Sequence, residues 1–154
     1  MIATEIPDCR FLIVGDGPLR GPLEDQARDL GIHGAVRFTG IRQDARSLIA
    51  RSDVVAFSSD WEGMSIVALE ALAAGVPVVA TDVEGMRDLL SSGAGVVTRR
   101  DPTELAHEIV LLLRDSQRRA EMGAVGRSTI AADFSIERMV GSYRELYAEL
   151  TGTG

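Results

Sequence analysis

The sequence predicts an open parallel α/β sheet with helices on both faces, followed by a group of helices. Three observations predict it. Short apolar runs alternate with helix-period stretches through residues 10–98, glycines punctuate the ends of many of these units, and no strand pattern follows Thr98. Strand–helix alternation is how a chain builds a parallel sheet, because parallel neighbours need a crossover between them. The length of 154 residues suits one domain, and 45% hydrophobic with 25% charged residues is an ordinary globular balance.

The elements follow in order. Residues 10–15 are a short apolar run ending in Gly15, which predicts a strand buried on both faces. Gly15, Asp16, Gly17 and Pro18 form a tight turn, with Pro18 suited to the first turn of a helix. Leu19, Leu23, Ala27 and Leu30 recur at helical spacing, and Gly31 ends the stripe. Residues 35–39 read as the second strand, 44–51 as a short helix and 53–58 as the third strand. An Ala- and Leu-rich helix spans 65–74 and closes at Gly75. Strands at 76–81 and 95–98 flank a helix at 84–91. Asp101 and Pro102 then give the N-cap and first position of a helix with a Leu105, Ile109, Leu112, Leu113 stripe. Two more helices are predicted at 116–132 and 136–150, and residues 151–154 as a frayed, disordered tail.

Composition excludes several chemistries. The net charge is −7, which opposes non-specific nucleic-acid binding. The sixteen basic residues are all Arg, so no P-loop or Schiff-base lysine exists here. One Cys allows no internal disulfide and no cysteine metal cluster. No apolar run is long enough to span a bilayer, and a cytoplasmic location is expected. His33 and His107 lack ligand-like neighbours and read as surface groups, so no metal is expected. Trp61 could serve as a lid or a stacking residue, or pack on the core. Tyr143, Leu146, Tyr147 and Leu150 read as a packing stripe.

In a parallel sheet, ligands sit beyond the carboxyl ends of the strands, beside helix N-termini. Two places qualify. At the turn of residues 15–18, Gly15 and Gly17 would let the backbone approach a ligand closely, although a plain strand–helix turn has the same look. A nicotinamide cofactor is disfavoured. The third glycine falls at Gly21, one residue late for a dinucleotide fingerprint, and no acidic residue follows the second strand, which ends at Thr39 and Gly40. The second place is residues 58–70. Glu62 precedes a helix, and Gly63, Met64, Ser65 and Ile66 would present backbone N–H groups at its start, where an anion is favoured. Glu70 lies within an otherwise apolar helix. It needs a partner or must stay near solvent, and a ribose diol would supply two donors. A dipole-favoured charge for Glu62 and a solvated helix edge for Glu70 are the plainer alternatives.

Five segments in order carry a resemblance: Phe-Leu-Ile-Val-Gly-Asp-Gly-Pro-Leu (11–19), Val-Arg-Phe-Thr-Gly (36–40), Ser-Asp-Val-Val-Ala-Phe-Ser-Ser (52–59), the run 62–82, and residues 134–147. Together they resemble the nucleotide-sugar-binding, Rossmann-like C-terminal half of retaining GT-B glycosyltransferases, the glycosyl transferases group 1 family (family 4). Glu62 and Glu70 match that family's E-x7-E motif, and the resemblance covers residues 10–150 within a domain of 1–150.

The resemblance implies a role for each position. Glu70 would bind the ribose hydroxyls of an NDP-sugar donor, and Glu62 the hydroxyls of its sugar as the catalytic carboxylate. Gly63, Met64, Ser65 and Ile66 would hold the diphosphate or sugar, Gly15 and Gly17 would lie beside the diphosphate, and Arg37 and Phe38 would border the base. No cofactor or metal is implied. The implied partners are the donor and an acceptor-binding N-terminal domain in the full-length protein, with any peripheral membrane association through that domain. The chain departs from the family in lacking that half and the first strand–loop of this one, with its Arg and Lys. It also reads Glu84-Gly85 where a Gly-Gly pair is usual. Transfer by the isolated chain is therefore not expected. A stand-alone nucleotide- or protein-binding module is the alternative.

Overall fold

The computed structural model describes residues 1–152. Its strands are β1 (Phe11–Val14), β2 (Val36–Gly40), β3 (Val55–Phe57), β4 (Val78–Thr81) and β5 (Gly95–Thr98). Its helices are α1 (Ile2–Glu5), α2 (Arg20–Asp29), α3 (Ala45–Ile49), α4 (Ile66–Ala74), α5 (Glu84–Leu90), α6 (Pro102–Arg114), α7 (Ser116–Asp133) and α8 (Ile136–Thr151). Each predicted strand and helix is present, within a few residues of its expected ends. The short α1 was not anticipated. Thr151 closes α8 and Gly152 caps it in the left-handed conformation, so the expected tail does not begin at 151. Residues 153 and 154 of that tail lie outside the described residues.

All strand pairs are parallel. The strands fall into two ribbons, β1–β2 and β3–β4–β5. Val55 stands opposite Val78, and Val78 opposite Gly95. Phe11 stands opposite Val36, with a register shift after Ile13.

The core centres on β4, which is paired on both edges and wholly buried. Its residues alternate between the two faces, as a strand requires. Val78 and Ala80 pack with Leu72 of α4 and Met86 of α5, while Val79 packs with Leu112 of α6 and Met122 of α7. Helices therefore cover both faces, as predicted. The expected burial of β1 is corrected. Leu12, Ile13 and Val14 remain 46%, 40% and 42% exposed, because β1 has a strand on one side only and lies away from the β4 core. The α2 stripe is likewise open: only Ala27 is buried, and Pro18 sits in the turn ahead of the helix.

Helix α7 approaches α4 through glycines. A Cβ on Gly123 would lie 2.2 Å from the Gly75 carbonyl oxygen, and one on Gly126 would lie 3.2 Å from that of Leu72. Gly75 itself takes φ +77, the left-handed conformation that ends α4. The Tyr143, Leu146, Tyr147 and Leu150 stripe stands open in this chain. All four are exposed, and α8 buries no residue, since no element among the described residues covers that face. Trp61, in the loop between β3 and α4, is 82% exposed and is not a core residue.

Asp101 caps α6 as predicted: its carboxylate accepts from the Thr103 N–H at 2.8 Å. That bond holds the Asp101 carboxyl below its ordinary value of 3.8. A lowered native value means the cap contributes fully above the unfolded value and is lost as pH falls through the native one. The first turn of α6 is therefore expected to fray in acid, below about pH 4. Amide exchange at Thr103, corrected for its intrinsic pH dependence, should rise there and not at pH 7.

Candidate functional site

The carboxyl ends of β1 and β3 each open into a loop that carries predicted residues. After β1, Gly15 takes φ +129 and its N–H donates to the Gly40 carbonyl at 2.9 Å. Asp16 accepts from the Gly17 N–H at 2.8 Å. Arg20 braces this turn, pairing with Asp16 at 3.1 Å and Glu24 at 2.9 Å. Gly15, Gly17 and Phe38 line one shallow cleft of about 350 Å³, together with Ile13, Leu19 and Leu23. Arg37 is exposed on β2 and does not line it.

After β3 the chain runs to α4. Ser65 is the N-cap of α4, accepting from the Ala68 N–H at 3.4 Å. The N–H groups of Ile66 and Val67 lie in the open first turn, where a helix leaves its donors unpaired. Both residues are exposed, so a ligand can reach them. Glu62 is half-buried and accepts from the Ser59 hydroxyl at 2.9 Å; Ser59 in turn accepts, through its carbonyl, from the Thr81 hydroxyl at 2.6 Å. Thus buried Thr81, at the end of the central strand, fixes the loop that aims Glu62.

Glu70 lies one turn further along α4. It has the partner its setting demands: Arg46 on α3 donates to Glu70 Oε1 at 2.6 Å. The Arg46 side chain is 82% exposed and the Glu70 side chain 23%, so the carboxylate stays open to solvent. Among these contacts Glu70 Oε2 has no donor, and the Arg46 guanidinium reaches it from water rather than from the core.

Gly63 and Met64 line a separate cavity of about 220 Å³, with Gly85, Asp88, Leu89 and Phe134. The predicted residues therefore lie along one edge of the parallel strands but in distinct hollows. The sequence did not single out Arg46, Arg20 or Thr81. It marked Gly85 only as the one glycine kept where a pair is usual, without a role. A Cβ there would lie 1.7 Å from the Gly63 carbonyl oxygen and 3.0 Å from that of Glu62. Gly85→Ala is expected to push residues 62–63 outward and to cost about 1–3 kcal/mol. Thermal melting, with displaced amide resonances at Gly63 and Ser65, checks this.

A parallel α/β sheet flanked by helices is the architecture of the C-terminal domain of GT-B glycosyltransferases, and comparison with known proteins places this chain in that class. The model for "Glycosyl transferases group 1" matches residues 1–115, and the chain belongs to that family. It is 32% identical over 151 residues to N-acetyl-alpha-D-glucosaminyl L-malate synthase of Bacillus anthracis, covering 97% of this chain and 39% of that protein. It is 34% identical over 147 residues to the lipopolysaccharide core biosynthesis glycosyltransferase LpsE of Rhizobium meliloti, covering 94% of this chain and 43% of that protein. Among solved structures, Anabaena Alr3699/HepE in complex with UDP superposes with a TM-score of 0.87 at 29% identity, over 96% of this chain and 43% of that one. The chain spans less than half the length of each of these proteins. Among the described residues, no helix is long and apolar enough to cross a membrane.

Proposed function

We propose that this chain is the donor-binding part of a retaining glycosyltransferase that moves a sugar from an NDP-sugar to an acceptor hydroxyl. The observation that carries it is the pair Glu62 and Glu70 bracketing the open first turn of α4, in a chain of this family. Glu70 receives the ribose hydroxyls on its open oxygen, and Glu62 contacts the sugar hydroxyls. The amides from Gly63 to Ile66 hold the diphosphate, favoured there by the helix dipole. Gly15 and Gly17 let the β1 turn approach the same groups, and Arg37 and Phe38 border the base. Alr3699/HepE, solved with UDP and with UDP-glucose, supports a nucleotide-sugar ligand.

In the reaction the acceptor hydroxyl oxygen bonds to the anomeric carbon as the bond to the diphosphate breaks, its proton passing to the departing diphosphate, with retention of configuration. The protein's part is to place the two reactants and to stabilise the departing charge. No metal is invoked. An acceptor-binding N-terminal domain of the longer protein completes the cleft, and membrane association, if the acceptor is a lipid, belongs to that domain. The full protein works in the cytoplasm. Calorimetric titration of this chain with UDP-, GDP- and ADP-sugars tests the reading. Saturable binding of one of them, without transfer, is expected. A folded chain that binds none of them overturns it and favours a module with another partner.

A further inference from the structure

Glu70 is held from outside its own helix. Helix α3 begins just past the carboxyl end of β2, on the side of the sheet where ligands sit. Arg46 and Ile49 lie three residues apart on it, and residues at that spacing share a helix face. Ile49 packs on the core cluster that α4 and β4 build, so the Arg46 side of α3 turns toward α4. Arg46 Nε then donates to Glu70 Oε1 at 2.6 Å.

The form of this contact decides what it can do. A guanidinium gripping both oxygens of a carboxylate as a fork would close it to a diol. Here Nε engages Oε1 alone, and Oε2 receives no hydrogen bond among the described residues. An ionised carboxylate has about four acceptor positions. Arg46 fills one and a vicinal diol needs two, so guanidinium and diol fit on Glu70 together. Two effects then point the same way. A glutamate without a partner samples several rotamers, and a ligand that needs one of them must order it. Arg46 has ordered it beforehand. A diphosphate also meets like charge from Asp16, Asp60, Glu62 and Glu70 near the strand ends, and Arg46 sets a positive charge beside the last of these. Arg46 lies in the stretch 41–51, between the segments that carry the resemblance, so the E-x7-E spacing does not include it.

We propose that Arg46 is a positioning residue for the nucleotide. It holds the Glu70 carboxylate with Oε2 open, stays bonded while the ribose diol docks, and does not itself touch the donor. Because Glu70 must receive the ribose for this to matter, the role rests on the donor reading.

The probe is whichever of UDP, GDP and ADP binds the 154-residue chain most tightly, followed by chemical-shift titration, which reaches millimolar affinities. Arg46→Ala should weaken it about 2- to 12-fold, the cost of ordering one long side chain on binding. The variant should melt with the parent, since an exposed ion pair adds little to stability. The loss should vanish in a Glu70→Ala background, where nothing is left to hold. Arg46→Lys, which keeps the charge and a donor, should recover part of it. The Arg46 Nε–H resonance should be displaced from that of a free arginine, remain so at saturating nucleotide, and relax in Glu70→Ala. An equal loss with and without Glu70 means that the guanidinium meets the nucleotide directly, and overturns the proposal. Tighter binding by Arg46→Ala, or release of the Nε–H at saturation, makes Arg46 a competitor of the diol and overturns it as well. A chain that binds one nucleotide and is indifferent to Arg46→Ala removes this role alone. A folded chain that binds none of the three removes the donor reading with it.

Discussion

Glu70→Ala is expected to weaken nucleotide-sugar binding by about 10- to 150-fold, because hydrogen bonds to a charged group contribute roughly 1.5–3 kcal/mol. The fold should survive the change. Glu70 lies on the outer side of α4, and its one partner, Arg46, reaches it from solvent. An exposed ion pair of this kind is worth less than about 1 kcal/mol. Alanine also suits a helix interior better than glutamate does. The measurement is a pair of isotherms with the preferred donor and with its free nucleotide. Both should weaken together, since Glu70 is assigned to the ribose that the two share. Glu62→Ala should instead weaken the sugar donor more than the free nucleotide. A Glu70→Ala protein that melts normally and binds the donor as before would remove the ribose assignment.

Gly123→Ala should lower the stability of the fold. The new Cβ would lie 2.2 Å from the Gly75 carbonyl oxygen and 3.0 Å from its carbon. Both are backbone atoms at the end of α4, so no side chain can swing aside, and α7 must move away from α4. Overpacking of this kind costs about 1–3 kcal/mol, and here it opposes the roughly 1 kcal/mol that alanine brings to a helix. A net loss of up to about 2 kcal/mol would lower the melting temperature by up to about 4–8 °C. Gly141→Ala is the control. It makes the same change within α8, where a Cβ meets nothing within 4 Å, and it should leave the melting temperature unchanged or raise it. Equal behaviour of the two variants would mean that the α4–α7 contact does not limit stability.

Local signals were legible in the sequence. Asp101 with Pro102 starts α6, and Gly75 ends α4. The Val78–Thr81 run is a buried strand, and Glu62 and Glu70 fall on either side of a helix start as their spacing required. These depend on neighbours a few residues away. What was not legible depends on distant ones. The run 11–14 has the composition of a doubly covered strand, yet whether it is covered depends on which strand pairs with its far edge. Glu70 needed a partner, but Arg46 stands 24 residues away on another helix. Gly85 acquires its meaning from the Gly63 carbonyl, and Gly123 from Gly75. The Tyr143, Leu146, Tyr147 and Leu150 stripe has the period of a packed face. Periodicity tells which side of a helix is apolar and nothing about what covers it.

Helix α8 has a consequence for how the molecule melts. It is 16 residues long and buries none of them. A lone helix of that length is near its own helix–coil midpoint in water, because nucleation is costly and each added residue gains little. Its Ser135 cap and left-handed Gly152 stop favour the helical form at the ends. The middle relies on intrinsic propensity and on local contacts such as the Tyr143–Tyr147 ring pair, with centroids 6.4 Å apart. Far-ultraviolet ellipticity should therefore decline steadily on warming, well before the β4 core gives way in a single sharp step.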